Sequence, residues 1–240
     1  MLLYVASTNR GKLREFRQAA LERGISVDPI PRMQDLPPCV EDGSTFEENA
    51  RKKALHYSAY VSGSVFADDS GICVDALDGS PGVHSARYAS LQSWGLPSAR
   101  VGSIDDAVRA RSSTPAGSHH ATDSVFARDD TNNMKLLREL EGVPDEHRTA
   151  HYLCVIALAR AGRVLKVTEG RVDGVIIKAP RGNGGFGYDP YFLYPPLGRT
   201  FGELSPDEKF SVSHRGQAFR RLLDGLDEIV ERAGTEKRKL

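Results

Sequence analysis

The 240-residue sequence has no net charge with which to draw a partner. Its 32 Lys and Arg balance its 32 Asp and Glu, so no overall field favours nucleic acid or an anionic membrane, and any anion must be held by a local cluster. Neither a nucleic-acid nor a membrane partner is expected. Cysteine is scarce. Cys39, Cys73 and Cys154 lie far apart with no CxxC spacing, which points to free thiols in a reducing cytosol rather than to a disulfide framework. Cys73 and Cys154 fall in apolar runs and are expected to be buried. No apolar run approaches the roughly 20 residues of a membrane span. The start, Met1-Leu2-Leu3-Tyr4-Val5-Ala6, lacks the basic flank of a signal peptide, so a cytoplasmic location is expected. The first glycine of a Walker A loop is missing before Gly11-Lys12, and no Ser or Thr follows Lys12. His147 and His151 stand four apart without an HExxH motif, and His119-His120 sits in a Ser/Gly-rich stretch. These histidines read as surface residues, not as metal ligands.

What is present is an α/β pattern. Leu2 to Ala6 is an apolar run suited to a central parallel strand. It empties into Ser7-Thr8-Asn9-Arg10-Gly11-Lys12, after which Leu13, Phe16, Ala20 and Leu21 recur at helical spacing. Strand, polar loop and helix start form either an anion site, because the first N–H groups and the helix dipole favour phosphate, or a solvated β–α turn with a surface lysine. A second strand is expected over Ile25 to Ile30, then a Pro-rich loop ending at Glu41-Asp42-Gly43. Thr45-Phe46-Glu47-Glu48 reads as a capping box opening a helix on which Asn49, Lys52 and Lys53 form a solvated face. Further strands are expected at Ile72 to Leu77, Thr149 to Arg160 and Val164 to Ile177, the last two as an antiparallel hairpin. From about Ala89 to Thr131 the pattern dissolves into an irregular insertion with a weak helical patch at Ile104 to Ala110. A short helix is expected at Asn132 to Leu140. The chain closes with a capped start at Ser205-Pro206-Asp207-Glu208 and an amphipathic helix carrying Ala218, Leu222, Leu226, Ile229 and Val230. Glu236 to Lys239 reads as a solvated tail.

Two stretches carry chemistry. In Val65-Phe66-Ala67-Asp68-Asp69-Ser70-Gly71 an apolar strand end meets two adjacent carboxylates. Either one projects into a crevice at a strand's carboxyl end, where α/β proteins meet ligands, or the stretch is an Asp-Ser-Gly turn. In Arg181-Gly182-Asn183-Gly184-Gly185-Phe186-Gly187-Tyr188-Asp189-Pro190 four glycines let the backbone approach a ligand, and Phe186 or Tyr188 could stack on a base. Neighbouring carboxylates about 4 Å apart repel by around 4 kcal/mol at an effective dielectric of 20. A shared divalent cation relieves this, and oxygen ligands suit Mg²⁺ or Mn²⁺ over Zn²⁺.

Six motifs, in order along the chain, carry a family likeness. They are Ser-Thr-Asn-Arg-Gly-Lys at 7–12, Thr-Phe-Glu-Glu-Asn-Ala at 45–50, Ala-Asp-Asp-Ser-Gly at 67–71, Gly-Gly-Phe-Gly-Tyr-Asp-Pro at 184–190, Glu-Lys at 208–209 and Ser-His-Arg-Gly-Gln-Ala at 213–218. On them the chain resembles the inosine triphosphate pyrophosphatase family, the dITP/XTP pyrophosphatases. The resemblance implies one α/β domain over 1–240, two-lobed, with an elongated mixed central sheet flanked by helices and a nucleotide cleft between the lobes. It also implies Mg²⁺-dependent cleavage of inosine and xanthosine triphosphates to the monophosphate and pyrophosphate, and a homodimer. Asp69 would be the proton acceptor and a metal ligand, with Glu41 a second metal carboxylate. Ser7, Thr8, Asn9, Arg10, Gly11, Lys12, Ser70, Phe186, Gly187, Tyr188, Asp189, Lys209, His214 and Arg215 would contact the nucleotide. Donors on Arg215 and nearby backbone would suit a 6-keto oxygen and meet a 6-amino group donor to donor. Two departures stand out: Ser7-Thr8 occupies a place where the family often has Thr-Gly, and the 89–131 stretch is longer than its pattern. A pyrophosphatase for other modified bases, or a nucleotide-binding module without catalysis, are the competing readings.

Overall fold

The computed structural model describes residues 1–91 and 120–226, with the backbone course alone over 120–128. Seven strands form one mixed sheet in the order β2-β1-β3-β4-β5-β6-β7. They are β1 (Leu2–Val5), β2 (Ser26–Pro29), β3 (Ser64–Val74), β4 (Thr149–Arg160), β5 (Arg163–Ile176), β6 (Phe192–Tyr194) and β7 (Arg199–Thr200). β1 pairs in parallel with β2 and β3, and every pairing from β3 onward is antiparallel. Among the described residues the α-helices are α1 (Arg10–Leu21), α2 (Phe46–Ser58), α3 (His120–Glu139), α4 (Pro206–Val212) and α5 (His214–Asp224).

Three apolar clusters cover the sheet. On one face Phe16 of α1 and Phe219 of α5 meet Phe66 of β3, with ring centroids 4.7 to 5.3 Å apart. Pairs of this kind add roughly 0.5–1.5 kcal/mol beyond their buried area. On the other face Phe46, Ala50, Ala54 and Tyr57 of α2 pack on Val65, Ala67, Val155 and Ala157. Strand alternation explains the division, since Val65 and Ala67 point one way and Phe66 the other. The third cluster begins farther along β3 at Ile72 and Val74, and joins them to Leu136, Tyr152, Tyr188, Phe192 and Phe201. Between Ala67 and Ile72 the strand is polar. That gap between cores is where the site lies.

Four expectations are corrected. The strand does not end before Asp68: β3 runs unbroken from Ser64 to Val74, because β4 pairs with every residue from Val65 to Val74 and overrides the turn tendency of Asp-Ser-Gly. The separate strand expected at Ile72 to Leu77 is therefore the end of β3 followed by a 3-10 turn at Asp75–Leu77. The helix expected from Asn132 begins at His120. Asp and Asn have low helix propensity because their side chains compete for backbone groups. Here those side chains bond elsewhere: Asn132 accepts from Ala89 N–H at 2.7 Å, and Asn133 donates to the Gly187 carbonyl at 3.0 Å. Cys154 is buried, but Cys73 is only half-buried. The helical patch at 104–110, His119, the His120 side chain, Ile229, Val230 and the tail at 236–239 lie outside the described residues.

At the start of α2 the Thr45 hydroxyl accepts from Glu48 N–H at 3.1 Å, while the Glu48 carboxylate turns back to Ser44 N–H at 2.7 Å rather than to Thr45. Thr45→Ala should lower stability by about 1 kcal/mol. Its melting temperature should then fall by roughly 2–4 °C, and an unchanged melting curve would show that Ser44 alone suffices as cap.

Candidate active site

The crevice follows from unequal strand lengths. β1 last pairs Val5 with Phe66, and Ala6 N–H reaches the Phe66 carbonyl at 2.8 Å. Beyond that point β3 continues with β4 on one side and no β1 on the other. Asp68 and Asp69 sit on this uncovered edge and point to opposite faces of the sheet. The edge carbonyl of Asp68, left without a strand partner, accepts from Lys53 Nζ at 3.0 Å. The loop after β1 opens beside it: Ser7 Oγ accepts from Asn9 N–H at 3.2 Å, and Asn9 Oδ1 caps Lys12 N–H at 3.1 Å. Thr8, Asn9 and Arg10 are exposed, and Gly11 and Lys12 half-buried.

On the α2 face, Asn49 donates to Asp69 Oδ2 at 3.0 Å, and Lys53 forms an ion pair with Glu41 at 2.7 Å. Burial pushes the Asp69 carboxyl up, Lys53 and Asn49 pull it down, and nearby Glu41 and Asp68 raise it further; the net shift is upward. Asn49 is 1% exposed. The solvated face expected for Asn49 and Lys53 is thus the wall of the site, and only Lys52, paired with Asp42, lies on the surface. Periodicity could not show this, because it sorts helix positions by apolar content and not by what the opposite strand presents.

On the α1 and α5 face, Asp68 lies among cations. Lys12 Nζ reaches its Oδ2 at 2.7 Å, and Arg215 Nε stands 3.5 Å away, a charge contact rather than a hydrogen bond. Burial raises the Asp68 carboxyl, but Lys12, Arg215 and Lys53 outweigh it and hold it well below the usual carboxylate range. Arg215 also donates to Ser70 Oγ at 3.0 Å and to Glu15 at 3.1 Å. Its side chain is 3% exposed, so the Arg215 donors expected to read a 6-keto oxygen are buried, with Nη1 on Glu15 and Nη2 on Ser70. Glu15, on α1, also stands 3.8 Å from Lys209. It escaped the sequence reading because its partners lie some two hundred residues away.

The glycine-rich stretch folds back over this set. Asp189 accepts from Lys209 Nζ at 2.5 Å and from Phe186 N–H at 2.8 Å. Lys209 Nζ lies 4.4 Å from the centre of the half-buried Phe186 ring. The ring lies over Gly11, where a Cβ would be in ordinary contact with it, 3.6 Å from Phe186 Cδ1. Of the two aromatics expected to face a base, Tyr188 is core: it is 4% exposed and its hydroxyl donates to the Ser85 carbonyl at 2.8 Å. The glycine frame places only the Phe186 ring at the site. His214 is buried as well, stacked on Tyr152 at 4.6 Å. Burial, then Arg215 and Lys209, hold its imidazole well below the ordinary value and therefore neutral.

Five carboxylates thus gather around this part of β3 with four cations: Glu41 and Asp69 with Lys53 on the α2 face, and Glu15, Asp68 and Asp189 with Lys12, Lys209 and Arg215 on the other. Among the described residues no group of three or more His, Cys, Asp or Glu could hold a metal by itself. The pair that suits a hard cation is Glu41 and Asp69, both oxygen donors around Lys53, with the remaining coordination left to water and phosphate.

Comparison with known proteins gives the family. A family model described as the Ham1 family matches residues 3–99 and 107–225. The chain belongs to the Ham1 family. Within it, the chain is 43% identical over 228 residues to the dITP/XTP pyrophosphatase of Geobacillus kaustophilus, covering 95% of each. It is 46% identical over 235 residues to the dITP/XTP pyrophosphatase of Anaeromyxobacter sp., covering 96% of this chain and 98% of that protein. Among solved structures, a HAM1 protein from Coxiella burnetii superposes with a TM-score of 0.72 at 34% identity, over 95% of this chain and 99% of that one. The Staphylococcus aureus Ham1 protein superposes with a TM-score of 0.70 at 32% identity, again over 95% and 99%. The Ham1 match runs through most of the stretch marked as an insertion and is interrupted over 100–106. No helix among the described residues is long and apolar enough to cross a membrane.

Proposed function

We propose that the chain hydrolyses the α–β anhydride of non-standard purine nucleoside triphosphates (ITP, dITP, XTP), releasing the monophosphate and pyrophosphate. The observation that carries this reading is the uncovered edge of β3. There a carboxyl with raised proton affinity, Asp69, stands beside Asn49, Lys53 and Glu41 and next to the phosphate-type loop at 7–12. The relatives' names supply the substrate class.

In this reading the nucleotide lies in the crevice between the two parts of the sheet. The start of α1 and Lys12 face the phosphates, and the Phe186 ring supports the base, a contact worth roughly 1–3 kcal/mol. Asn49 orients Asp69 through the 3.0 Å hydrogen bond. Asp69 accepts a proton from water as the water oxygen bonds to phosphorus and the bridging P–O bond breaks toward pyrophosphate. Burial suits it to this: a carboxylate with an ordinary proton affinity is a weaker base at neutral pH. Glu41 and Asp69 would hold Mg²⁺, or Mn²⁺ in its place. Such an ion, when bound, offsets phosphate charge that the five carboxylates would otherwise repel. Lys53, bridging Glu41 and the Asp68 carbonyl, keeps these groups together.

The test is an assay of ITP, XTP, ATP and GTP with Mg²⁺, measuring pyrophosphate and orthophosphate separately. Pyrophosphate from ITP and XTP at rates at least about tenfold above ATP and GTP is expected, because the relatives are named for dITP and XTP; tenfold corresponds to about 1.4 kcal/mol of transition-state discrimination. Equal rates, or orthophosphate alone, would sink the reading. Turnover confined to other modified bases, or binding without turnover, would favour the competing readings.

A further inference from the structure

Resting on the nucleotide reading above, we infer that Asp129 and Asn133 of α3 are positioning residues for the Phe186 ring, and through it for the base of the substrate. Asp129 Oδ2 accepts the Gly187 N–H at 2.8 Å, and Asn133 Nδ2 donates to the Gly187 carbonyl at 3.0 Å. The two side chains stand one turn apart, so one face of α3 grasps both backbone polar groups of a single residue. That residue follows Phe186 directly and has φ +63°, a left-handed conformation that an L side chain rarely adopts.

The loop has other anchors. Tyr188 is fixed in the core through Ser85, and Asp189 is fixed by Lys209. These hold the stretch to the protein, but neither touches Gly187. Phe186 N–H is held by the Asp189 carboxylate at 2.8 Å, and the Phe186 carbonyl accepts from Asp189 N–H at 3.4 Å, so the turn closes on either side of Gly187. The α3 pair holds Gly187 itself, whose backbone these bonds leave unheld. Asn133 is buried at 5% exposure, and without it the Gly187 carbonyl would lose its donor. Nothing in the local sequence connects residues 129–133 with residue 187; the connection exists only in the fold.

The experiment uses the full chain and measures steady-state ITP hydrolysis together with inhibition by inorganic tripolyphosphate, which has phosphates but no base. Asp129→Ala and Asn133→Leu are each expected to raise KM for ITP about tenfold, within the range that base–aromatic stacking supplies. They should leave kcat within about twofold and tripolyphosphate inhibition unchanged, the pattern of lost uniform binding. Asp129→Asn, which keeps an acceptor oxygen for the Gly187 N–H, is expected to restore KM. In a Phe186→Ala background neither Asp129→Ala nor Asn133→Leu should raise KM further, because both act through the ring. Unchanged KM in the single variants overturns the inference, as does additivity with Phe186→Ala. A parallel loss of tripolyphosphate inhibition also overturns it, because that marks general loosening. If Asn133→Leu does not fold, Asp129→Ala carries the test. A wild-type chain that releases no pyrophosphate from ITP fails the function reading itself, and this inference with it.

Discussion

Asp69→Asn is expected to lower pyrophosphate release from ITP by roughly 10²–10⁴-fold, the span over which a positioned general base acts, while raising the melting temperature. The two effects share a cause. Burial, with Glu41 and Asp68 nearby, pushes the Asp69 carboxyl above its ordinary value, so the folded protein disfavours the charge that catalysis requires. For an acid whose folded value is raised, ionisation costs stability above that value, and the cost disappears as pH falls below the unfolded value near 3.9. The amide removes the charge and keeps the shape. The stabilisation should therefore be present at pH 7 and vanish in acid. In the metal-free protein, the melting-temperature difference between wild type and variant should open as pH rises through a value displaced above the usual carboxylate range. Loss of activity with a lowered melting temperature would mean that Asp69 supports the fold. Retained activity would remove it from the chemistry.

The elements were more legible in the sequence than the contacts between them. The run Leu2 to Ala6 with the polar loop after it identifies β1 and the start of α1, because a buried parallel strand and a capped helix each follow from local chemistry. The glycine-rich stretch is readable for the same reason: positive φ at Gly182, Gly185 and Gly187 is a local demand. The run of β3 through Asp-Asp-Ser-Gly was not legible, since only the ladder with β4 makes a strand of residues that alone favour a turn. Nor were Glu15, Asn49 and Lys53, whose burial depends on charges contributed by distant segments. Tyr188 and Phe186 look alike in sequence, both aromatic and both beside glycine. What separates them is a single hydrogen bond to the Ser85 carbonyl, which takes Tyr188 into the core. Asp68 and Asp69 likewise look interchangeable. Strand alternation gives them opposite faces, and the helices covering those faces give them opposite shifts.

The second large effect belongs to Asp68. Asp68→Asn should destabilise the protein by about 3–5 kcal/mol, the loss typical when one member of a buried charge set is neutralised and its partners are left uncompensated. Lys12, Arg215 and Lys53 all draw on this carboxylate, and Asp68 is 1% exposed, so water cannot take its place. At roughly 2–4 °C per kcal/mol for a chain of this size, the melting temperature should fall by about 6–20 °C. The pH dependence gives a stricter test. Asp68 has a depressed folded value, so its contribution is fully present above the unfolded value near 3.9 and is lost as pH falls from there toward the folded value. Melting temperatures of wild type and variant should therefore converge below about pH 4 and stay apart at neutral pH. Lys12→Met in the Asp68→Asn background should recover part of the loss, because it removes one uncompensated cation; Lys12→Met alone should destabilise. If the variant is as stable as wild type at pH 7, the cations around Asp68 are satisfied elsewhere, and its carboxylate is not what compensates them.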